Sequence, residues 1–194
     1  SLLRAFGIRP GTPEAHAFTY LDFARAARTY GKVGGFAHLA TLVKRVRAER
    51  PHTLLLDGGD TWQGSALSLW TKGADMIAAC RELGVDVMTG HWEFTYGMER
   101  VQEAVQKELA PIEFVAHNVK TQDFGDAVFK PYTLRELGGV PVAVIGQAFP
   151  YTPIANPRHM VADWTFGIQE QELQKVVDEV RGKGAQVVLL LSHN

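Results

Sequence analysis

Apolar residues along this chain come in two rhythms. Four short continuous runs, Thr53–Leu56, Val85–Met88, Ile112–Ala116 and Val187–Leu191, predict strands buried on both faces, as in a parallel sheet. Between them the spacing changes to i, i+3, i+4, i+7. It predicts helices over Phe36–Glu49 (Leu39, Leu42, Val43, Val46), Ala74–Leu83, Met98–Leu109 and Ile168–Lys183. Gly84 and Gly184 follow two of these as natural C-caps, and Pro111 ends a third. Tyr132–Leu137 and Val140–Ile145, joined by Gly138-Gly139, predict a hairpin. Ser1–Pro13, Gly31–Gly35, Thr121–Phe129 and Phe149–Trp164 read as loops, with one or two helical turns near Phe23–Arg28. Lys44, Arg45 and Arg47 are assigned to the outer face of their helix. Strands alternating with helices, and a hairpin among them, predict an α/β fold: a mixed sheet with helices on its faces.

Composition narrows the function classes. At 194 residues and 46% hydrophobic the chain can bury a core, and neither a repeat nor an internal domain boundary is evident, so one domain is expected. Twenty basic and twenty-one acidic residues leave a formal charge of −1 with no basic tail, which argues against nucleic acid or an anionic membrane as the main partner. No apolar run approaches the ~18 residues of a membrane span. A single cysteine, Cys80, excludes an internal disulfide and reads as a small buried residue. The chain starts at Ser1 without methionine and stops at Asn194 directly after a strand, so it is expected to be part of a longer protein.

Candidate chemistry sits just past the strands. Asp60 follows the first run, His91 the second and His193 the last. In an open α/β sheet, ligands collect beyond the C-terminal ends of the strands. Taken singly, Asp60 reads as a turn aspartate and His91 as a loop histidine bonded to a carbonyl. Together, one carboxylate and two imidazoles form a metal-site pattern. A carboxylate can bridge two divalent cations, and two such cations activate water and clamp a tetrahedral substrate. Gly58 and Gly59 allow the tight turn that brings Asp60 to the site. Asn118, past the third run, is a candidate for the site or a turn former. Glu93 reads as a partner holding the loop, not as a ligand. Trp62 and Arg158, with Phe149 and Tyr151, are candidates along a substrate channel. His16, His38, His52, His117 and His159 have no metal-ligand spacing.

Two of these stretches carry a specific resemblance. Asp57-Gly58-Gly59-Asp60-Thr61 followed by Gly90-His91-Trp92-Glu93-Phe94-Thr95-Tyr96-Gly97 resembles the 5′-nucleotidase branch of the calcineurin-like metallophosphoesterases. The second motif of that family is Gly-Asn-His-Glu-Phe-Asp-Tyr-Gly. Here His91 stands at the Asn position and Trp92 at the catalytic His position. That departure resembles the thiosulfohydrolases of the bacterial sulfur-oxidation (Sox) pathway. So do Tyr30–Phe36, Asp60–Ser65, Gln147–Arg158 and Leu190–Asn194, so the likeness runs over nearly the whole chain.

The resemblance implies an α/β metallophosphoesterase-type mixed β-sheet sandwich with flanking helices, incomplete at both ends. Residues 1–194 would be part of an N-terminal catalytic domain, with a substrate-binding C-terminal domain outside them. It implies two divalent metal ions, expected to be Mn2+, bridged by Asp60, with His91 and His193 on the second ion and further ligands outside the chain. Trp92 and Asn118 would belong to the catalytic site, and Trp62 and Arg158 to the substrate contacts. The implied reaction is hydrolytic release of sulfate from a cysteine-bound thiosulfonate on the SoxYZ carrier protein, in the periplasm. An indole at residue 92 cannot become the imidazolium that stabilises a phosphoryl transition state, and a sulfonate carries less negative charge to stabilise. The alternatives are a 5′-nucleotidase or phosphomonoesterase of the same fold, and a non-catalytic carrier-binding module.

Overall fold

In the computed structural model, which describes residues 2–18, 28–29, 31 and 35–193, the first two apolar runs become strands at their C-terminal ends, the third in its middle and the fourth throughout. Strands β1 (Leu56–Asp57), β2 (Val87–Met88) and β3 (Glu113–Phe114) pair in parallel in the order β1-β2-β3. Later come β4 (Lys120–Thr121), β5 (Tyr132–Leu137), β6 (Val140–Gln147), β7 (Trp164–Thr165) and β8 (Val187–Ser192). The hairpin forms as predicted and its second strand pairs in parallel with β8, giving a mixed sheet β5-β6-β8. The described residues thus form two three-stranded sheets and one β4-β7 ribbon, in keeping with the mixed β-sheet sandwich that the resemblance implies.

The alternation of β6 explains how these layers stack. Ala143 and Ile145 point to one face, where they pack with Val180, Leu173, Val176 and Val177 of the helix Glu170–Gly182. Val144 points to the other face and packs with Val87 and Val115, joined by Leu54, Leu56 and Leu191. A strand covered by a helix on one side and a sheet on the other is apolar at nearly every position. Gly146 marks the closest approach, since a Cβ there would lie 2.0 Å from the Val115 carbonyl oxygen. His117 N–H closes the contact by donating to Gly146 O at 2.8 Å.

Of the helices, Phe36–Glu49 and Ala74–Leu83 form over the predicted ranges. Gly84, at φ 80°, caps the second in the left-handed conformation. Met98–Glu103 continues into a π-helical turn, Ala104–Glu108. Arg47 does not lie on an outer face as expected: its guanidinium reaches Gly84 O at 2.6 Å and Asp86 Oδ2 at 2.7 Å. Asp86 in turn accepts from Leu55 N at 2.7 Å, which ties the helix end to both strand starts.

Several predicted loops contain short elements. Leu2–Ala5 and Pro13–Phe18 are helices, the second started by the Thr12 hydroxyl, which accepts from Ala15 N, with proline at the first helical position. Thr152–Ala155 and Arg158–Met160 are single turns inside the predicted long loop. Ala66–Thr71 is a helix opened by a reciprocal capping box between Ser65 and Ser68. The helical turns expected near Phe23–Arg28 fall outside the described residues except for Arg28. The chain divides into two compact units, Ser1–Val46 and Arg47–Asn194. All site residues discussed below belong to the second.

Candidate metal centre

Strands β1 and β2 end side by side, and each releases a loop bearing a ligand candidate. The first loop turns back at Gly59, whose φ of +92° is open to glycine alone without strain. A Cβ there would sit 2.9–3.0 Å from His91 N, Gly90 C and Thr89 O, so the missing side chain lets the two loops touch. Asp60 follows in the left-handed region at φ 66°, a conformation aspartate tolerates better than most residues. The third candidate arrives from the other sheet. His193 follows β8, and its backbone N–H reaches Gln147 O at the end of β6. The sequence pattern of three strand ends holds, but the three ends come from two sheets.

One donor atom from each of Asp60, His91 and His193 lies within 4.8 Å of the others. Asp60 Oδ2 is 3.7 Å from His91 Nδ1, and the two imidazoles stack at 3.9 Å with a 13° interplanar angle. His193 Nδ1–H donates to Gly58 O at 2.8 Å, which leaves Nε2 as the free lone pair. His91 Nδ1 is buried with no hydrogen-bond partner. A buried ring nitrogen without a partner, facing a carboxylate and a second imidazole, fits a divalent cation. Such an ion, about 2.0–2.2 Å from N and O ligands, suits donors gathered this closely. Burial, reinforced by the neighbouring His193, holds the His91 pKa below the ordinary imidazole value, against the pull of Asp60. The ring is thereby kept neutral, the form that ligates metals.

Glu93 holds the two loops together. Its fully buried carboxylate accepts from Thr61 N (2.7 Å), Trp62 N (3.2 Å), Asp60 N (3.1 Å) and His91 N (2.7 Å). Asp57 supports the first loop alone, accepting from Gly59 N at 2.9 Å and the Thr61 hydroxyl at 2.8 Å. Phe149, just past β6, packs edge-on against His91 with ring centroids 4.4 Å apart, and its N–H donates to Gly90 O at 2.9 Å. Sequence reasoning assigned Glu93 a holding role but not its span. Phe149, expected along a channel, follows a strand end as the candidate ligands do, and that position is the signal for its contact with His91.

The remaining expected site residues fall in different environments. Trp92 is half-buried and meets His91 edge-on at 5.3 Å, so it stands beside the ligand set. Asn118 is fully buried, with Nδ2 donating to Ala148 O (2.8 Å) and Gly167 O (3.1 Å) and Oδ1 accepting from Ala148 N (2.9 Å). Every polar group of that amide is engaged in tying backbone segments together. Trp62 is fully buried and lies in the core, in contrast to the expected channel wall, and its backbone carbonyl accepts from the Tyr96 hydroxyl at 2.9 Å. Arg158 is exposed on its single turn. His117 is buried, with Nε2 3.4 Å from Gln147 Oε1, and is not among the three grouped donors.

Comparison with known proteins matches this architecture. No protein-family model matches the chain. The structure is similar over 100% of the chain to the sulfate thiohydrolase SoxB of Thermus thermophilus, solved with glycerol, at a TM-score of 0.82 and 38% identity. It covers 36% of that chain. The 5′-nucleotidase of Bos taurus is 30% identical over 179 residues, 89% of this chain and 30% of that protein. The calcineurin-like phosphoesterase YfkN of Bacillus subtilis shares the fold at a TM-score of 0.72 and 24% identity, over 82% of this chain and 54% of that one. The chain thus spans about a third of the length of SoxB and of the nucleotidase. These likenesses, with the two loops and the stacked histidines, support a SoxB-like piece of the 5′-nucleotidase branch of the calcineurin-like metallophosphoesterases.

Proposed function

We propose that the protein carrying this chain is a dinuclear-metal thiosulfohydrolase. It would release sulfate from a cysteine-bound thiosulfonate on the SoxYZ carrier protein in the periplasm. In the reaction, water oxygen joins the terminal sulfone sulfur and the sulfur–sulfur bond breaks. Sulfate leaves, the other sulfur keeps the bonding electron pair and stays on the carrier as a thiolate, and the two protons of the water are released to solvent. Asp60, His91 and His193 would hold the second of two divalent ions, Mn2+ by preference, with Asp60 also reaching the first. Bound metal would supply an activated water and polarise the sulfone oxygens. Residues 1–194 would form part of the catalytic domain, with the substrate-binding domain outside them.

The observation that carries this reading is Trp92 at 5.3 Å from His91. At that place in the nucleotidases a histidine stabilises phosphoryl charge, and an indole supplies no cation. Its half-buried ring offers an apolar flank to the ligand set. The similarity to SoxB across the whole chain supports the same reading. Asn118 would serve the site by holding Ala148, next to Phe149, in place. Arg158, exposed, is the residue proposed to meet the anionic substrate or its carrier.

A nucleotidase is the second reading, favoured by the 30% identity to the bovine enzyme. The full-length protein loaded with Mn2+ separates the two when sulfate release from a thiosulfonate-loaded carrier peptide is followed beside phosphate release from AMP. Sulfate without phosphate, with phosphate release gained on Trp92→His, is the expected result. Phosphate without sulfate returns the chain to the nucleotidases, and neither product from a metal-loaded protein points to a carrier-binding module.

A further inference from the structure

We propose that Glu93 is the positioning residue of the metal centre, setting the separation of Asp60 and His91 by gathering both ligand loops onto one carboxylate. The inference rests on reading Asp60, His91 and His193 as a metal site. Three of the N–H groups that Glu93 accepts are consecutive, from Asp60, Thr61 and Trp62. They converge because Asp60 adopts the left-handed conformation, which turns successive N–H groups to one side and makes a nest for an anion. The fourth comes from His91 on the other loop, at 2.7 Å. Two of the four donors thus belong to metal ligands themselves. Asp60 and His91 share one oxygen, Oε2, so their backbones are locked to a single atom.

The chemistry of this pocket selects a carboxylate. All four neighbours named are donors, and an ionised carboxylate is acceptor-only, with room for about four hydrogen bonds. A glutamine of the same shape would press an NH2 group against backbone N–H groups. With both oxygens occupied in this way, Glu93 stands outside the group formed by Asp60, His91 and His193 and would act on a bound metal only through Asp60 and His91. Another link between the loops, Tyr96 hydroxyl to Trp62 carbonyl at 2.9 Å, lies beyond the ligands and does not touch either one. The placement of charge on loop backbone, not on metal, is how an outer partner orients ligands.

The test uses metal-free full-length protein, with Mn2+ titrated by calorimetry and Co2+ by its visible spectrum. Glu93→Gln, His91→Ala and the double variant complete a cycle. Glu93→Gln is expected to weaken Mn2+ binding by about 10- to 100-fold and to change the Co2+ spectrum. In the His91→Ala background the same substitution should cost clearly less, because one of the two ligands it positions is already gone. A lower melting temperature of the metal-free protein with unchanged affinity and spectrum would overturn the proposal, as would equal fold losses in both backgrounds. Should Glu93→Gln not fold, Glu93→Asp keeps an acceptor-only group one methylene short. Weaker Mn2+ binding by that folded variant supports the positioning role, and unchanged binding overturns it. If Asp60→Asn and His91→Ala bind Mn2+ as tightly as the native protein, the metal reading itself fails.

Discussion

Replacing Gly59 by alanine should damage the site through contact between two loops, and the size of the effect follows from two separable terms. The first is conformational. At φ +92° an L-residue is strained, which costs about 1–2 kcal/mol. The second is steric. The added Cβ would meet His91 N, Gly90 C and Thr89 O at 2.9–3.0 Å, and all three are backbone atoms fixed at the end of β2. Forcing a methyl group into such a packed contact costs about 1–3 kcal/mol more. The sum, roughly 2–5 kcal/mol, lowers the melting temperature by about 4–20 °C for a domain of this size. Gly125→Ala is the control: φ is +70° there, but a Cβ meets nothing within 4 Å, so only the first term applies. Thermal melts of both variants, metal-free and Mn2+-loaded, measure the difference. Gly59→Ala should melt below Gly125→Ala, and it alone should lose Mn2+ affinity as Asp60 and His91 are pushed apart. If the two variants melt together and bind Mn2+ alike, close approach of the loops is not what places these ligands.

Two further predictions concern buried titratable groups. Burial lowers the His117 pKa from the ordinary imidazole value, so the folded state holds this ring neutral while the unfolded chain protonates it near pH 6.5. Between those two pKa values the unfolded state binds more protons. The contribution is therefore complete above about pH 6.5 and is lost as pH falls toward the lower folded pKa. Urea titrations between pH 7.5 and 5 should show stability declining, and His117→Gln should flatten part of that slope; an unchanged slope would refute the assignment. Burial, with the Asp57 charge beside it, pushes the Cys80 thiol up to about 12, and the side chain is 1% exposed. Ellman's reagent at pH 8 should leave native Cys80 unlabelled and label it once the protein is unfolded, whereas fast native labelling would contradict its place in the core.

The local elements were legible because their signals are local. A 3.6-residue period is a property of neighbouring residues, and it located Phe36–Glu49 and Ala74–Leu83 to the residue. Continuous apolar runs located β8 and the second half of the hairpin; β6 is covered on both faces as such a run predicts, whereas Val187, Leu189 and Leu190 of β8 stay exposed. The helix Ala66–Thr71 escapes the sequence pattern because its short span carries little periodicity; its local signal is Ser65 and Ser68 at capping-box spacing. The β4-β7 ribbon is different: two residues on each side, 43 positions apart, carry no pattern that specifies the pairing.

The same division runs through the site. Residue type and position after a strand were enough to single out Asp60, His91 and His193. What they could not convey is that β8 belongs to a second sheet whose end meets the first, with Gly146 against Val115. Trp62 and Trp92 are both indoles in glycine-rich loops, yet one lies in the core and the other stands beside His91. Glu93 was recognisable as a loop partner, but its four donors come from residues up to 33 positions away and exist only once the loops touch. The sequence by itself determined which residues are candidates for chemistry and where the longer helices and strands lie. Tertiary structure alone decided which of those residues converge, because convergence depends on which faces of distant elements bury one another.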